Sequence, residues 1–139
     1  MTNERDFQGA QSELTERIIG IFYKVANDLG YGFFESVYRR SLLIALHDAG
    51  IEAEEEVQTP VTYRGRLVGN FYTDIVVAGL IVLELKAADE ITKLFEAQLL
   101  HYLRSSQMEV GIILAFGERA KFRRIYMSND RKPNLRHSP

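Results

Sequence analysis

The sequence predicts one mixed α/β domain in which helices cover both faces of a central β-sheet. Apolar residues recur with helical spacing at about 12–29, 34–49 and 92–105, whereas the segments between and after them alternate as strands do. The predicted strands at 71–78 and 80–87 are apolar on both alternating sets of positions, which is typical of a sheet covered on both faces. The chain has 139 residues, of which 46% are hydrophobic and 26% charged, as in one ordinary globular domain.

The first two predicted helices each end at a glycine. Ser12 is the expected N-cap of the first helix and Gly30 its end. Its apolar stripe comprises Leu14, Ile18, Ile21, Phe22, Val25 and Leu29. The second helix follows the turn "GYG", spans about 34–49 and is closed by Gly50. Its expected inner face comprises Val37, Ser41, Leu42, Ala45, Leu46 and Ala49.

From Glu52 the pattern changes to that of three consecutive strands. "EEEVQTPVTYRG" leads to a turn at Arg64 and Gly65, and "RLVGNFYTDIVVAG" and "LIVLELKA" follow, joined by a turn at Gly79. Short turns join antiparallel neighbours, so these strands are expected to form a three-stranded meander.

A third helix and two further strands are expected to complete the domain. Thr92 is the expected N-cap of this helix, which continues to about Ser105, and "EVGIILAF" and "FRRIYM" then have the composition of strands. These bounds predict a flexible N-terminus at 1–11, a domain at 12–127 and a flexible basic tail at 128–139.

The composition excludes several classes of protein and leaves one question open. Without cysteine the chain has no disulfide framework, no thiolate metal site and no cysteine nucleophile. No apolar run reaches the roughly 18 residues of a membrane span, and no signal peptide is visible, so we expect a cytoplasmic protein that does not bind membranes. Seven basic residues and one acidic residue at 119–139 give +6, which leaves -8 for residues 1–118 and a formal net charge of -2. That basic end is either a phosphate-binding surface or a solvated tail.

The stretch "DIVVAGLIVLELK" places two carboxylates and a lysine in an otherwise apolar hairpin. With the turn centred on Gly79, opposed residues have numbers that sum to 158, so Asp74 faces Glu84, and Lys86 lies on the same face. Opposed like charges are destabilising, and a single ammonium cannot neutralise two carboxylates. A Mg²⁺ or Mn²⁺ ion, which prefers oxygen ligands, would offset the repulsion and suit phosphodiester hydrolysis. The alternative is an ion pair at an exposed sheet edge with no function.

The same hairpin matches the D…E-x-K signature, and two flanking motifs extend the match. "GFFESVY" at 32–38 fits G-x-x-E-x-x-Y, and "QLLHY" at 98–102 fits Q-x-x-x-Y. In this order the motifs resemble the GxxExxY family, a RecB-like branch of the PD-(D/E)XK nuclease superfamily. The resemblance covers about 12–127. It implies a restriction-endonuclease-like α/β fold, in which helices flank a mixed central β-sheet.

The resemblance also implies a role for each residue of the D…E-x-K signature and for the early glutamate. Asp74 and Glu84 would bind Mg²⁺ or Mn²⁺, with the backbone carbonyl of Leu85 as a further ligand. Lys86 would orient or activate the attacking water. Glu35 would be the additional acid that RecB-like enzymes bring from an early helix, as a ligand or through a metal-bound water. A solvated carboxylate favoured by the helix dipole is the alternative for Glu35.

Gln98 and Tyr102 are four residues apart and therefore share one helix face. The resemblance implies that they help to hold substrate or Lys86. A surface amide for Gln98 and a core aromatic for Tyr102 are the alternatives. Tyr38 either supports Glu35 or packs in the core.

The sequence thus leads to the hypothesis of a metal-dependent nuclease that hydrolyses DNA, with the following catalytic residues: Glu35, Asp74, Glu84, Lys86, Gln98 and Tyr102. The alternative is a catalytically silent or partner-dependent nucleic-acid-binding or regulatory module with the same fold, for which the small size and the acidic main body argue. A homodimer or a protein partner fits this alternative. RNA stays open as the substrate, because nothing in the sequence resembles a reader of 2′-hydroxyls or an aromatic stacking platform.

Overall fold

The structure is a computed structural model that describes residues 11–132, except for the side chains at 56, 57, 59 and 71–73. In chain order its elements are α1 (Ser12–Leu29), α2 (Glu35–Asp48), β1 (Ala53–Tyr63), β2 (Arg66–Val77), β3 (Ile81–Lys86), α3 (Lys93–Arg104), β4 (Val110–Ala115), β5 (Lys121–Tyr126) and a 3₁₀ helix (Asn129–Arg131).

The strands form one mixed sheet in the order β1-β2-β3-β4-β5. β1, β2 and β3 are antiparallel neighbours, as the predicted meander requires, and β4 and β5 are antiparallel as well. β3 and β4 are parallel, because α3 carries the chain back to the end of the sheet from which β3 started. The predicted mixed α/β fold is confirmed and is consistent with a restriction-endonuclease-like fold.

Each face of the sheet has its own apolar cluster. The larger cluster joins α1 and α2 to the odd-numbered positions of β2 and β3, and includes Ile18, Phe22, Tyr38, Leu42, Leu46, Ile75, Leu83 and Leu85. The smaller cluster joins α3 to the even-numbered positions of β2 and β3 and to residues of β4 and β5. It comprises Val76, Val82, Leu99, Tyr102, Leu103, Ile113 and Ile125. Helices therefore cover both faces, as the apolar strands predicted. Asp74, Glu84 and Lys86, which have even numbers, belong to the face that α3 covers.

The helix ends agree with the predictions except at the first cap. Gln11, in a left-handed conformation with φ 58°, is the N-cap of α1, so Ser12 is the first helical residue and not the predicted cap. Gly30 ends α1 with φ 78°. The Thr92 hydroxyl accepts a 3.2 Å hydrogen bond from the Phe95 amide, which confirms the predicted cap of α3.

Within residues 11–132 no helix is long and apolar enough to cross a membrane.

The segment that follows β5 departs from the flexible tail predicted at 128–139. A 3₁₀ turn forms there, and Lys132 is fully buried. Its ammonium donates hydrogen bonds to the carbonyl oxygens of Ser106, at 3.1 Å, and of Met108. Packing thus continues at least to Lys132, because a buried ammonium needs acceptors and the turn before β4 supplies them. The predicted flexible segments at 1–10 and 133–139 lie outside the described residues.

Gly111 in β4 allows α3 to pack closely on the sheet. A Cβ atom built there would lie 2.8 Å from Leu99 Cδ1. Gly111→Ala should therefore lower the free energy of unfolding by about 1–3 kcal/mol, the usual cost of overpacking. Gly20→Ala in α1 is the control, because nothing lies within 4 Å of the added methyl group. It should stabilise the protein by up to about 1 kcal/mol in denaturant unfolding. Equal stability of Gly111→Ala and wild type would contradict the close contact.

Candidate active site

The two acids of the hairpin face each other in the register that the sequence predicted. The observed β2–β3 partners are Ile75 with Leu83, Val76 with Val82 and Val77 with Ile81. Each pair of numbers sums to 158, which confirms the predicted register. Continued by one pair, it sets Asp74 opposite Glu84 on the face that α3 covers.

Beyond these pairs β2 diverges from β3. The Asp74 side chain there accepts a hydrogen bond from a β3 amide that would otherwise pair with the β2 backbone. The Lys86 carbonyl accepts from the Phe116 amide at 2.8 Å, so Lys86 faces β4 with its backbone. Alternation along the strand then turns the N–H and C=O groups of Leu85 toward β2. The Leu85 amide donates a 2.8 Å hydrogen bond to Asp74 Oδ2. The Asp74 carboxylate is thereby fixed between the diverging strands, and the Leu85 carbonyl faces the same side.

Arg39 in α2 also binds this carboxylate, and the sequence analysis missed it. Its Nη1 atom lies 3.5 Å from Asp74 Oδ1, and its Nε atom lies 3.6 Å from Glu55 Oε2. Only 18% of the Arg39 side chain is exposed, so this cation is largely withdrawn from solvent. One signal could have found it. Arg39 follows Glu35 by four residues in a helix and therefore shares its face.

Glu84 is the most buried of the ionisable side chains at the site. Its residue is only 6% exposed, and its Oε1 atom is buried without a hydrogen-bond partner. Burial, and then the charge of Asp74, raise the pKa of Glu84 to about 8. Burial also raises the pKa of Asp74, although the Leu85 amide and Arg39 oppose that change. Without a further cation the two carboxyl groups therefore do not both carry a full negative charge at neutral pH.

Helix α3 holds the lysine of the hairpin. Lys86 Nζ lies 3.5 Å from Gln98 Oε1 and 4.7 Å from the centre of the Phe95 ring. Both partners belong to α3, so the ammonium is held between an amide oxygen and an aromatic face. Tyr102, one turn beyond Gln98, is buried in the apolar cluster under α3. The structure thus brings Gln98 to Lys86, and it places Tyr102 in the core.

Glu35 reaches the same site from the first turn of α2. Its Oε2 atom accepts a 3.2 Å hydrogen bond from the Ala87 amide, directly after Lys86. Its charge also contributes to the raised pKa values of Asp74 and Glu84. The structure thus brings Glu35 to the acids of the hairpin, although Glu35 is far from both of them in the sequence.

Tyr38 is a packed residue that shapes the turn before Glu35. Its side chain is fully buried, and its hydroxyl donates a 2.8 Å hydrogen bond to the Gly30 carbonyl. The same hydroxyl accepts a 3.3 Å hydrogen bond from the Phe33 amide. Tyr38 is therefore in the core, which is one of the two placements that the sequence left open, and it fixes the loop that leads into α2.

The notch is the place beside Asp74 and Glu84 where β2 diverges from β3. The oxygen atoms there fit a hard divalent cation. Among residues 11–132 no three His, Cys, Asp or Glu side chains are grouped so that they alone could hold a metal ion. The donors at hand are instead the carboxylates of Asp74 and Glu84 and the backbone carbonyl of Leu85. Mg²⁺ and Mn²⁺ prefer such oxygen donors and complete their shells with water. The partnerless Glu84 oxygen is the kind of buried atom that a cation would satisfy.

The five-stranded mixed sheet flanked by helices is consistent with a restriction-endonuclease-like fold. The family model of the PD-(D/E)XK nuclease superfamily matches residues 12–125, and the chain belongs to this superfamily. Among solved structures it is similar to "Crystal structure of SSO0001", with a TM-score of 0.53 and 24% identity. That likeness covers 91% of this chain but only 63% of the other, and it concerns the fold alone. No curated protein matches the sequence.

The buried Glu84 should make stability depend on pH in metal-free buffer. Unfolded Glu84 loses its proton near pH 4.5, whereas the folded residue keeps it to about pH 8. The folded state therefore binds more protons in this window, and its stability should fall as pH rises through it. Glu84→Gln, which cannot ionise, should be more stable than wild type at pH 8, and the difference should shrink toward pH 5. Denaturant unfolding in chelator measures both.

The exposed substitution Glu16→Gln is the control for this pH series and should follow wild type at every pH. A difference between Glu84→Gln and wild type that is constant from pH 5 to pH 8 would contradict the shifted pKa of Glu84.

Removing Arg39 should destabilise the protein, because Arg39 offsets the negative charge of Glu55 and Asp74. Arg39→Met leaves Glu55 and Asp74 without this partly buried cation, so the free energy of unfolding should fall by about 1–3 kcal/mol in chelator. Arg40→Met, in the next and exposed position, should change it by less than about 0.5 kcal/mol. Equal losses in the two variants would show that Arg39 does not neutralise the site.

Proposed function

We propose that this protein is a Mg²⁺- or Mn²⁺-dependent nuclease that hydrolyses DNA, and that it belongs to the GxxExxY, RecB-like branch of its superfamily. One observation carries the proposal: the Asp74 and Glu84 carboxyl groups face each other at the strand notch, and one Glu84 oxygen is buried without a partner. Membership of the PD-(D/E)XK nuclease superfamily supports it, because these nucleases usually use divalent metal ions. The motif around Glu35 supports the finer branch.

Asp74, Glu84 and the Leu85 carbonyl would hold the metal ion, with Glu35 at the rim as a direct or water-mediated ligand. When bound, such an ion supplies Lewis-acid stabilisation and lowers the pKa of its water. Asp74 is ready for this task, because the Leu85 amide fixes one of its oxygens at 2.8 Å. Its other oxygen faces Arg39, which orients the carboxylate and opposes the rise in its pKa that burial causes.

Lys86 would stabilise the negative charge that develops on the phosphate, or orient the attacking water. Its ammonium is held beside the acids by Gln98 and the Phe95 ring, so it needs little reorganisation during the reaction. Gln98 is thus proposed as a positioning residue for Lys86. Tyr102 is proposed to support catalysis indirectly, by seating α3 on the sheet.

A second candidate is a catalytically silent or partner-dependent module, as a homodimer or with another protein. The contact between Arg39 and Asp74 favours it, because a protein cation already offsets part of the charge that a metal ion would otherwise neutralise. This candidate predicts that the purified protein neither binds Mn²⁺ in calorimetry nor cleaves DNA alone.

Purified protein should cleave DNA with Mn²⁺ and lose this activity in chelator. Asp74→Asn removes a ligand charge and Lys86→Ala removes the ammonium, so each should lower the rate by about 100-fold or more. The controls are Asp28→Asn and Lys24→Ala, at an exposed ion pair on α1, which should keep the wild-type rate. Time courses on labelled single-stranded and duplex DNA measure the cleavage.

Cleavage that persists in chelator, or that survives both Asp74→Asn and Lys86→Ala, would disprove the nuclease assignment of this site. Absence of both cleavage and Mn²⁺ binding would support the silent module instead.

A further inference from the structure

Three aromatic side chains lie exposed on one short loop. Residues 31–34, the aromatic loop, join α1 to α2, and 62% of Tyr31, 45% of Phe33 and 82% of Phe34 is exposed. Large apolar side chains this exposed and this close together are costly in water, and such patches commonly mark a binding surface. The sequence itself gives no sign of an aromatic stacking platform, because aromatic residues at this spacing are equally compatible with a core.

The aromatic loop is held in place before any ligand binds. The Tyr38 hydroxyl bonds both the Gly30 carbonyl and the Phe33 amide, and its ring stacks on Phe116 with centroids 4.2 Å apart. Phe33 packs its edge against Tyr38 at 6.0 Å. These contacts anchor the loop from below and leave the outer faces of Tyr31 and Phe34 to solvent. A ligand that used those faces would have little loop ordering to offset.

The aromatic loop forms one wall of a cleft that continues from the candidate active site. The cleft has a volume of about 660 Å³, and its opposite wall includes Ala87, Ala88 and Asp89. Glu35 lies in the cleft and joins its two walls through the hydrogen bond from the Ala87 amide. Because Ala87 directly follows Lys86, the cleft begins where the E-x-K segment ends. A nucleic-acid strand whose phosphate lies at the notch would therefore place a neighbouring nucleotide in the cleft.

The chemistry of the cleft suits a base better than a phosphate. Glu35 and Asp89 line it and would repel phosphate, whereas the faces of Tyr31 and Phe34 suit a flat neutral ring. A base in a duplex is stacked and paired and cannot offer its face, but an unpaired base can. We propose that the aromatic loop binds an unpaired base of DNA beside the phosphate to be cleaved, so that the enzyme selects single-stranded DNA. This inference rests on the proposed function.

The chain contains no tryptophan, so one introduced tryptophan reports on stacking directly. Phe34→Trp, in a Lys86→Ala background with Mn²⁺ so that bound DNA is not cut, should lose fluorescence when a single strand binds and keep it with a blunt duplex of the same sequence. Tyr63→Trp is the matched control, because Tyr63 is 62% exposed at the far end of β1. Its fluorescence should not change with either DNA.

Affinities for the same two DNAs complete the test. In the Lys86→Ala background, Tyr31→Ala and Phe34→Ala should each weaken binding of the single strand about fivefold or more, the lower end of the usual loss for one stacked base. Duplex binding should stay within twofold, and Tyr63→Ala should change neither affinity. No change in single-strand binding, an equal loss for both DNAs, or no binding of either DNA would overturn the inference. The last two patterns would favour a general apolar contact or a protein partner as the role of the aromatic loop.

Cleavage by the otherwise wild-type protein separates this failure from failure of the proposed function. A protein that cuts single strands and duplex equally, with or without Phe34→Ala, would keep the proposed function and lose the inference. A protein that binds single strands through the aromatic loop and never cuts would lose the proposed function, and of the inference it would keep only the contact with an unpaired base.

Discussion

The opposition of two carboxyl groups across β2 and β3 is the constraint on which the rest of the site depends. Two acids opposed on one sheet face repel each other, and the fold offsets this cost where the strands separate. The Leu85 amide, freed from strand pairing, binds Asp74, and Arg39 approaches from α2. Glu84 has no such partner for its inner oxygen, and burial, followed by the charge of Asp74, raises its pKa to about 8. The protein thus offsets part of this charge with its own groups, and under the proposed function a cation would offset the rest.

The topology explains why the chemistry gathers at this point. Because β3 and β4 are parallel, the chain must cross over a face of the sheet, and α3 does so on the face that carries Glu84 and Lys86. One turn of α3 then supplies both partners of the Lys86 ammonium, Gln98 and Phe95. On the other side, α2 begins beside the end of β3, so Glu35 and Arg39 reach the notch from successive turns.

Sequence reasoning predicted what depends on local periodicity. The hairpin register followed from the alternation of side chains, and the placement of Gln98 near Lys86 agrees with the Q-x-x-x-Y resemblance. It missed what depends on distant packing. Arg39 gains its role from partners 16 and 35 residues away, at Glu55 and Asp74, and the aromatic loop is held at the surface by Tyr38, which stacks on Phe116.

The proposed binding of a base and the proposed cleavage of the phosphate use different parts of the molecule. The aromatic loop would bind the base, and the acids at the notch would serve the cleavage. Under the proposed function, the acids at the notch would hold a phosphate through a cation, because carboxylates do not attract phosphate by themselves. A cation bound through the Glu84 carboxylate would displace its proton, so binding of the cation would be coupled to proton release. The aromatic loop carries no charge and needs no cation to contact a base. If it binds the neighbouring nucleotide, the strand is held near the notch before the acids are neutralised. The energy of base stacking would then contribute to positioning the phosphate, and cleavage would depend on the metal ion.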